Sequence, residues 1–272
     1  MDGVNKTLYI PLYGKAYVSR RGLILKDPKA EEIWAAEGFP LKGKSKSKWL
    51  AYYMGMRSAV FDCWVQAQLE QMPQAVVLHL GCGMDSRVLR VNATGHGWFD
   101  VDFSEVIEER KRYFQETAQY RMIGSDVCDV RWLQAVPRGG SAIVVMEGIS
   151  MYLQRDALRA LLQSLKDHFG QVRLLMDCYT DLAAKATKVK NPINDVGVTT
   201  VYGMDDPEAV AVLPFLGEHT MTPEDLIDQL PKAEQGIFCK LYAGRIARKL
   251  YRLYEYGWER KDTDEANENP TG

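Results

Sequence analysis

Four short apolar runs punctuate the middle of the chain, at residues 75–80, 97–101, 142–146 and 172–176. Three of them are nearly continuous in apolar character rather than alternating, which is how strands covered by helices on both faces read. Between them the period changes to that of a helix. Leu158, Leu161, Leu162, Leu165 and Phe169 fall on one helical face, and Gly170 follows where such a helix stops and the next strand begins. Val106, Ile107, Arg110, Phe114 and Ala118 form a second stripe, opened by Ser104 as N-cap, and a weaker strand is expected at 120–123. Strand alternating with helix predicts a parallel sheet with right-handed crossovers.

The flanks break that alternation. Residues 1–72 hold no strong strand, and 49–69 read as one long helix ended by Pro73. Residues 181–221 carry Pro192, Gly197, Gly203, Pro207, Pro214 and Gly217, and read as an irregular insertion of the kind that covers a site. Thr222-Pro223-Glu224, with Thr222 as N-cap, Pro223 in the first turn and Glu224 as an anion favourable to the dipole, predicts the start of helical segments that run to about Lys249, with a closing strand over 251–258. The polar tail 260–272 is expected to be disordered.

Composition narrows the classes. The 272 residues carry 34 Lys and Arg against 36 Asp and Glu, a net charge of −2, with 46% hydrophobic residues. That is enough apolar matter for one sizeable core, and there is no basic footprint for a nucleic acid backbone. Five cysteines lie no closer together than 19 residues, so neither a disulfide framework nor a zinc clamp is visible, and a reducing, cytoplasmic setting fits. No run of eighteen apolar residues exists, which argues against a membrane span.

The candidate chemistry sits at strand ends. Gly81-Cys82-Gly83-Met84-Asp85-Ser86 follows the first strand, where glycines turn sharply and present backbone N–H groups. Asp102 comes 19 residues after Gly83, at the end of the second strand, placed to accept both hydroxyls of a ribose. Asp126 follows the third strand and Glu147 the fourth, so four successive strand ends aim polar groups into one crevice. A dinucleotide is disfavoured: Ser86 stands where its fingerprint wants a third glycine, and Asp85 would repel a pyrophosphate. An adenine amino group and a sulfonium both welcome carboxylates.

The segments 80–87 (Leu-Gly-Cys-Gly-Met-Asp-Ser-Arg), 99–107, 124–127 and 146–153 resemble the leucine carboxyl methyltransferase family, in particular its bacterial branch around the tetracenomycin polyketide O-methyltransferase. Leu12-Tyr13-Gly14, Asp27-Pro28-Lys29-Ala30 and 251–255 extend the likeness over most of the chain. The resemblance implies an α/β, Rossmann-like class I methyltransferase sheet of seven strands, the last antiparallel, in one domain spanning 1–272. Its parts would be an N-terminal helical cap (1–72), a cofactor-binding core (73–180), an insertion or lid over the active site (181–221), and C-terminal helices with a closing strand (222–259). It implies S-adenosylmethionine as cofactor, with Gly81 and Gly83 under the methionine moiety, Asp102 on the ribose, and Asp126 with the backbone of Val127 at the adenine. Arg57 would take the cofactor carboxylate and Glu147 would lie near its amino group. His79 departs from the acid that many methyltransferases carry two residues before the first glycine.

The expected function is O-methylation of a small-molecule hydroxyl or carboxylate by in-line transfer, without a metal. Tyr152 is the expected acceptor-side group and His219 a weaker candidate base. The alternatives are a protein C-terminal carboxyl methyltransferase, a nicotinamide-dependent oxidoreductase and a noncatalytic cofactor-binding module. Nothing in the sequence sets the acceptor or the oligomeric state.

Overall fold

The computed structural model describes residues 8–38, 41, 43–187, 201–210 and 212–260. Most of the expected tail lies outside the described residues, as does 188–200 of the insertion. Seven strands form one sheet: β1 Val76–Leu80, β2 Trp98–Asp102, β3 Tyr120–Gly124, β4 Ser141–Met146, β5 Gln171–Tyr179, β6 Phe215–Glu218 and β7 Tyr251–Glu259. Their order is β3-β2-β1-β4-β5-β7-β6. β1 to β5 pair in parallel, and β7 runs antiparallel to both β5 and β6. Connections leave in opposite directions on the two sides of β1 and β4, so the crevice outside their carboxyl ends is where such a sheet binds ligands.

Alternate residues of each strand serve different cores because successive side chains point to opposite faces. Val77, Trp98, Ile143, Val145 and Leu175 pack with the N-terminal helices, whereas Leu78, Phe99, Val144, Met146 and Leu174 pack with α6 (Arg155–His168). The predicted stripe Leu158, Leu161, Leu162 and Leu165 is the buried face of that helix. On the other face lie α1 (Tyr9–Ser19), α2 (Pro28–Glu37) and α3 (Lys48–Gln71). Asp27 accepts from Ala30 N at 2.9 Å, with Pro28 at the first turn and left-handed Gly38 at the end, so α2 carries both its start and its stop signal.

Three local expectations differ from the structure. The helix opened after β2 is α5, Ser104–Arg110; its N-cap is Phe103, and Ser104 is its first residue. It ends eight residues before the expected stripe does, yet Phe114 stays buried in the core, with the Arg110 guanidinium 4.0 Å over its ring. Thr222 does not cap the next segment either, since Pro223 holds that position before α8 (Glu224–Ile227). The region to Lys249 is broken into α9 (Lys232–Phe238), a π-turn at Cys239–Ala243 and α10 (Arg245–Arg248), with Gly244 between the last two.

Candidate active site

A cavity of about 880 Å³ opens at the carboxyl ends of β1, β2 and β4. Its floor is the turn after β1. Gly81 has φ +67°, and a Cβ there would lie 2.1 Å from Ile149 Cγ2, so both the left-handed backbone and the close approach require glycine. Gly83, at φ +50°, gives its N–H to Asp102 Oδ2 at 2.7 Å. Its carbonyl accepts from Arg110 Nη1 at 3.0 Å. Arg110 is itself anchored on Asp100, to which Nη2 donates at 2.6 Å and which also accepts from Tyr120 and Trp98. A fully buried ion pair beneath the loop thus sets its height. Burial raises the Asp100 carboxyl, but Arg110 and His79 outweigh that and hold it at about 2.

Asp102 and Asp126 both line the cavity, as do Ser125 and Val127. Asp102 Oδ1 accepts from Phe103 N at 2.8 Å, and burial nevertheless pushes its carboxyl upward against these two backbone donors. Asp126 is exposed at the rim, braced by Cys128 N at 2.9 Å. These two acids form the anionic side of the cavity.

The opposite end is built of buried ion pairs and is assembled from helices far away in sequence. α3 delivers Arg57, which donates through Nε to Glu147 (2.9 Å) and through Nη1 to Asp177 (3.2 Å) and Tyr251 Oη (2.9 Å). α1 delivers Lys15, buried, with Nζ 2.8 Å from Asp85. Glu147 accepts from Ser58 and Arg57 on one oxygen and from Arg87 on the other. Burial works to raise Glu147, but Arg87 and Arg57 outweigh it and keep it below its ordinary range. Asp85 is likewise held well below its usual value by Arg90, Lys15 and Arg87 against burial. His79 packs inside the sheet, 3.2 Å from Asp100 through Nδ1, with Arg87 on its other nitrogen.

The expected site residues therefore fall into two groups. Gly81, Gly83, Asp102, Asp126, Val127, Arg57 and Glu147 come together around one cavity, and Tyr152 is in its wall. Glu147 is oriented by two arginines, so it positions Arg57 besides facing the cavity. His219 is not brought to the cavity; this corrects its expected role as base. It follows β6, an edge strand of the sheet, where Nε2 bonds Glu255 at 2.6 Å. The described residues of 181–221 do not line the cavity, and its cover comes from residues 8–15 and 241–251.

Lys15, Arg87, Asp177 and Tyr251 are contributors that the sequence reading missed. Asp177 was within reach of the strand-end rule that found Asp102, because it lies near the end of β5. Lys15 is a lone charge on an otherwise buried helical face, adjacent to Leu12-Tyr13-Gly14.

The donor set fits S-adenosylmethionine: a glycine turn with room for a chain, two strand-end acids on one side and, on the other, an arginine and a lysine held by buried acids. Three comparisons bear on that fit. The family model described as leucine carboxyl methyltransferase matches residues 10–166. The tetracenomycin polyketide synthesis O-methyltransferase TcmP of Streptomyces glaucescens is 31% identical over 94% of this chain and 97% of its own. The S-adenosyl-L-methionine-dependent methyltransferase dpfgK of Gibberella zeae is 28% identical over 76% of this chain and 77% of its own. Among solved structures, the magnesium protoporphyrin IX methyltransferase ChlM of Synechocystis, with bound S-adenosylhomocysteine, superposes with a TM-score of 0.51. It covers 86% of this chain and 93% of its own at 12% identity, a likeness of fold. The seven-stranded sheet with one reversed strand is thus the class I methyltransferase sheet, and the chain belongs to the leucine carboxyl methyltransferase family of S-adenosylmethionine-dependent enzymes.

Proposed function

We propose that the protein methylates an oxygen, in a hydroxyl or a carboxylate, of a small molecule held inside the cavity. The observation that carries this reading is the wall beyond Arg57. Leu50, Tyr53, Met54, Tyr179, Leu241 and Tyr242 enclose an apolar, aromatic chamber continuous with the cofactor end. At about 880 Å³ the cavity lies toward the upper end of the roughly 300 to 1,000 Å³ typical of small-molecule sites. The printed name of the Streptomyces relative, a polyketide-synthesis enzyme, favours a small acceptor as well.

Bound S-adenosylmethionine would supply an electrophilic methyl group on a sulfonium. Asp102 would accept the ribose hydroxyls while its other bond, to Gly83 N, keeps the loop in place. Asp126 and the Val127 backbone would meet the adenine. Arg57 would take the cofactor carboxylate, a task suited to a planar guanidinium already fixed by Glu147 and Asp177. The aromatic chamber would hold the acceptor in line with the methyl group, an alignment worth roughly 7 to 11 kcal/mol of barrier. Tyr152 would border the acceptor.

All five cysteines are free thiols, in keeping with a cytoplasmic setting, and among the described residues no helix is long and apolar enough to cross a membrane.

The test is methyl transfer from labelled S-adenosylmethionine to a whole-cell extract separated by size. Label in the low-molecular-weight fraction is expected. Label at protein C-termini would favour the protein carboxyl alternative and overturn the proposal.

A further inference from the structure

The segment that leads from α9 into β7 closes one side of the cavity, and its outer face carries charge and apolar surface that the site does not use. Lys240, Arg245, Arg248 and Lys249 are all exposed, and no acid occurs between Glu234 and Glu255. None of these four cations pairs with an acid among the described residues. Glu234 is itself occupied, accepting from Lys48 Nζ and from Tyr52 Oη at 2.7 Å each. In a chain whose net charge is −2, this face is positive.

Three large aliphatic side chains stand among the cations. Ile237 is 50% exposed, Leu241 51% and Ile246 78%, the last being the most exposed large hydrophobic among the described residues. Ile237, Lys240 and Leu241 follow one another at three and four positions where α9 runs into the π-turn, and Ile246 lies between Arg245 and Arg248 on α10. The side chains that the fold needs from the same segment turn the other way: Phe238 is fully buried, and Tyr242 stacks on Tyr53. The segment is two-sided, aromatic toward the cavity and aliphatic and cationic toward water. A single exposed aliphatic is ordinary, but three interleaved with four unpaired cations mark a contact surface.

We propose that residues 237–249 dock the protein on an anionic lipid surface, with Ile237, Leu241 and Ile246 in the headgroup boundary and the cations against lipid phosphates. Charge complementarity selects that occupant. A second copy of this chain, meeting the patch across a two-fold axis, would set four cations against four. An acidic protein would match the charge but not the apolar part. Protein interfaces draw on aromatic anchors seated in pockets and are poor in Lys, whereas aliphatic side chains interleaved with Lys and Arg are the composition of an interfacial membrane segment. Leu241 both protrudes and lines the cavity, and Ala247 and Leu250 line it as well. The patch is therefore an outer rim of the cavity, and docking turns that rim toward the lipid, so that an apolar acceptor dissolved there enters without crossing water. This last consequence rests on the O-methyltransferase reading above; the docking does not.

The test is co-sedimentation of the full chain with vesicles of phosphatidylcholine, alone or with about one third phosphatidylglycerol. Wild type should sediment with the anionic vesicles only, and salt at about 0.5 M, where screening is nearly complete within a few ångströms, should release it. Each cation near such a surface contributes about fivefold, so Arg245→Gln combined with Arg248→Gln should weaken binding about 25-fold. Ile246→Asp should weaken it at least about tenfold with all four cations in place. None of these three residues lines the cavity, so both variants should keep the wild-type melting temperature and affinity for S-adenosylhomocysteine, which shows that the fold is intact. No sedimentation, equal sedimentation with phosphatidylcholine alone, or binding indifferent to the arginine pair overturns the proposal. Binding indifferent to Ile246→Asp and equally strong to polyglutamate overturns it in favour of an acidic protein partner. A concentration-dependent dimer that Ile246→Asp abolishes overturns it in favour of a second copy. Label from the size-separated extract reports on the methylation reading alone: label in the protein fraction refutes that reading and leaves docking standing, and failure to bind vesicles leaves small-molecule methylation standing.

Discussion

Replacing Arg87 by Met tests whether the buried charges around the cofactor end act as one framework. Arg87 is completely buried at the start of α4 (Arg87–Arg90). Its Nε donates to Asp62 on α3 at 2.7 Å, Nη1 meets His79 on β1 at 3.2 Å, and Nη2 bonds Glu147 after β4. Methionine fills much of the same volume and removes every donor. Glu147 then keeps Arg57 and Ser58 but loses the larger of its two cationic partners, in a place where burial alone would raise its carboxyl. Breaking one side of a buried pair costs about 3 to 5 kcal/mol. At roughly 2 to 4 °C per kcal/mol for a chain near this size, Arg87→Met should melt roughly 6 to 20 °C below wild type. Guanidinium titration at pH 7 should show a lower midpoint at an unchanged slope. Adding Glu147→Gln should recover part of the loss, because the double variant no longer buries a carboxylate short of partners. A single-variant cost below about 1 kcal/mol, or a double-variant loss equal to the sum of the singles, would show that these charges do not act together.

Asp102→Ala should weaken S-adenosylmethionine at least about tenfold in calorimetry, from the loss of charge-assisted bonds worth about 1.5 to 3 kcal/mol each. Asp102→Asn, which can still accept from Gly83 N, should lose less, and wild-type affinity in the Ala variant would remove Asp102 from the ribose. Arg57→Lys should weaken S-adenosylmethionine more than an analogue lacking the carboxylate, while equal losses would mean that Arg57 serves only Glu147, Asp177 and Tyr251. Asp100 has a folded value of about 2, below its unfolded value, so its contribution is fully present above about pH 4 and is lost as pH falls toward 2. The amount is about 2 kcal/mol; urea midpoints between pH 5 and pH 2 should fall less steeply in Asp100→Asn than in wild type, and parallel curves would contradict the assignment.

The parallel strands were legible because burial on both faces forces continuous apolar runs, and β1, β2, β4 and β5 coincide with the four runs. β6 was not. Phe215–Glu218 is four residues long, alternates half-buried with exposed, and lies beside Pro214 and across Gly217, so neither length nor pattern marks it. The site divides in the same way. Asp102 and Asp126 obey a local rule, an acid just past a strand, and local rules can be read along a chain. Lys15 meets Asp85 across 70 positions, and Arg57 meets Tyr251 across 194. Such pairings depend on how α1 and β7 lie against the sheet, which periodicity does not encode. The assignment of His219 failed for a related reason: periodicity does not show that β6 is an edge strand, with β7 between it and β5, so that His219 pairs with Glu255 away from the cavity.

The cavity joins two surfaces with separate origins. One side belongs to the sheet: the Gly81 turn, the acids after β2 and β3, and the Arg110–Asp100 pair beneath all follow from strand ends. The other side is made by elements added to that sheet, with Lys15 from α1, Arg57 and Tyr53 from α3, Tyr242 from the π-turn and Tyr251 from the reversed strand. Tyr53 stacks on Tyr242 at 4.9 Å, and Tyr251 meets Tyr53 at 6.1 Å and Tyr179 at 5.1 Å. The aromatic wall of the cavity is therefore continuous with the groups that fix Arg57. A substitution that reshapes the chamber at Tyr53 sits one helical turn from Arg57, so under the proposed function acceptor preference and cofactor affinity would be physically coupled through α3. The sheet can stay constant while acceptors change, but the helices cannot change one function without touching the other.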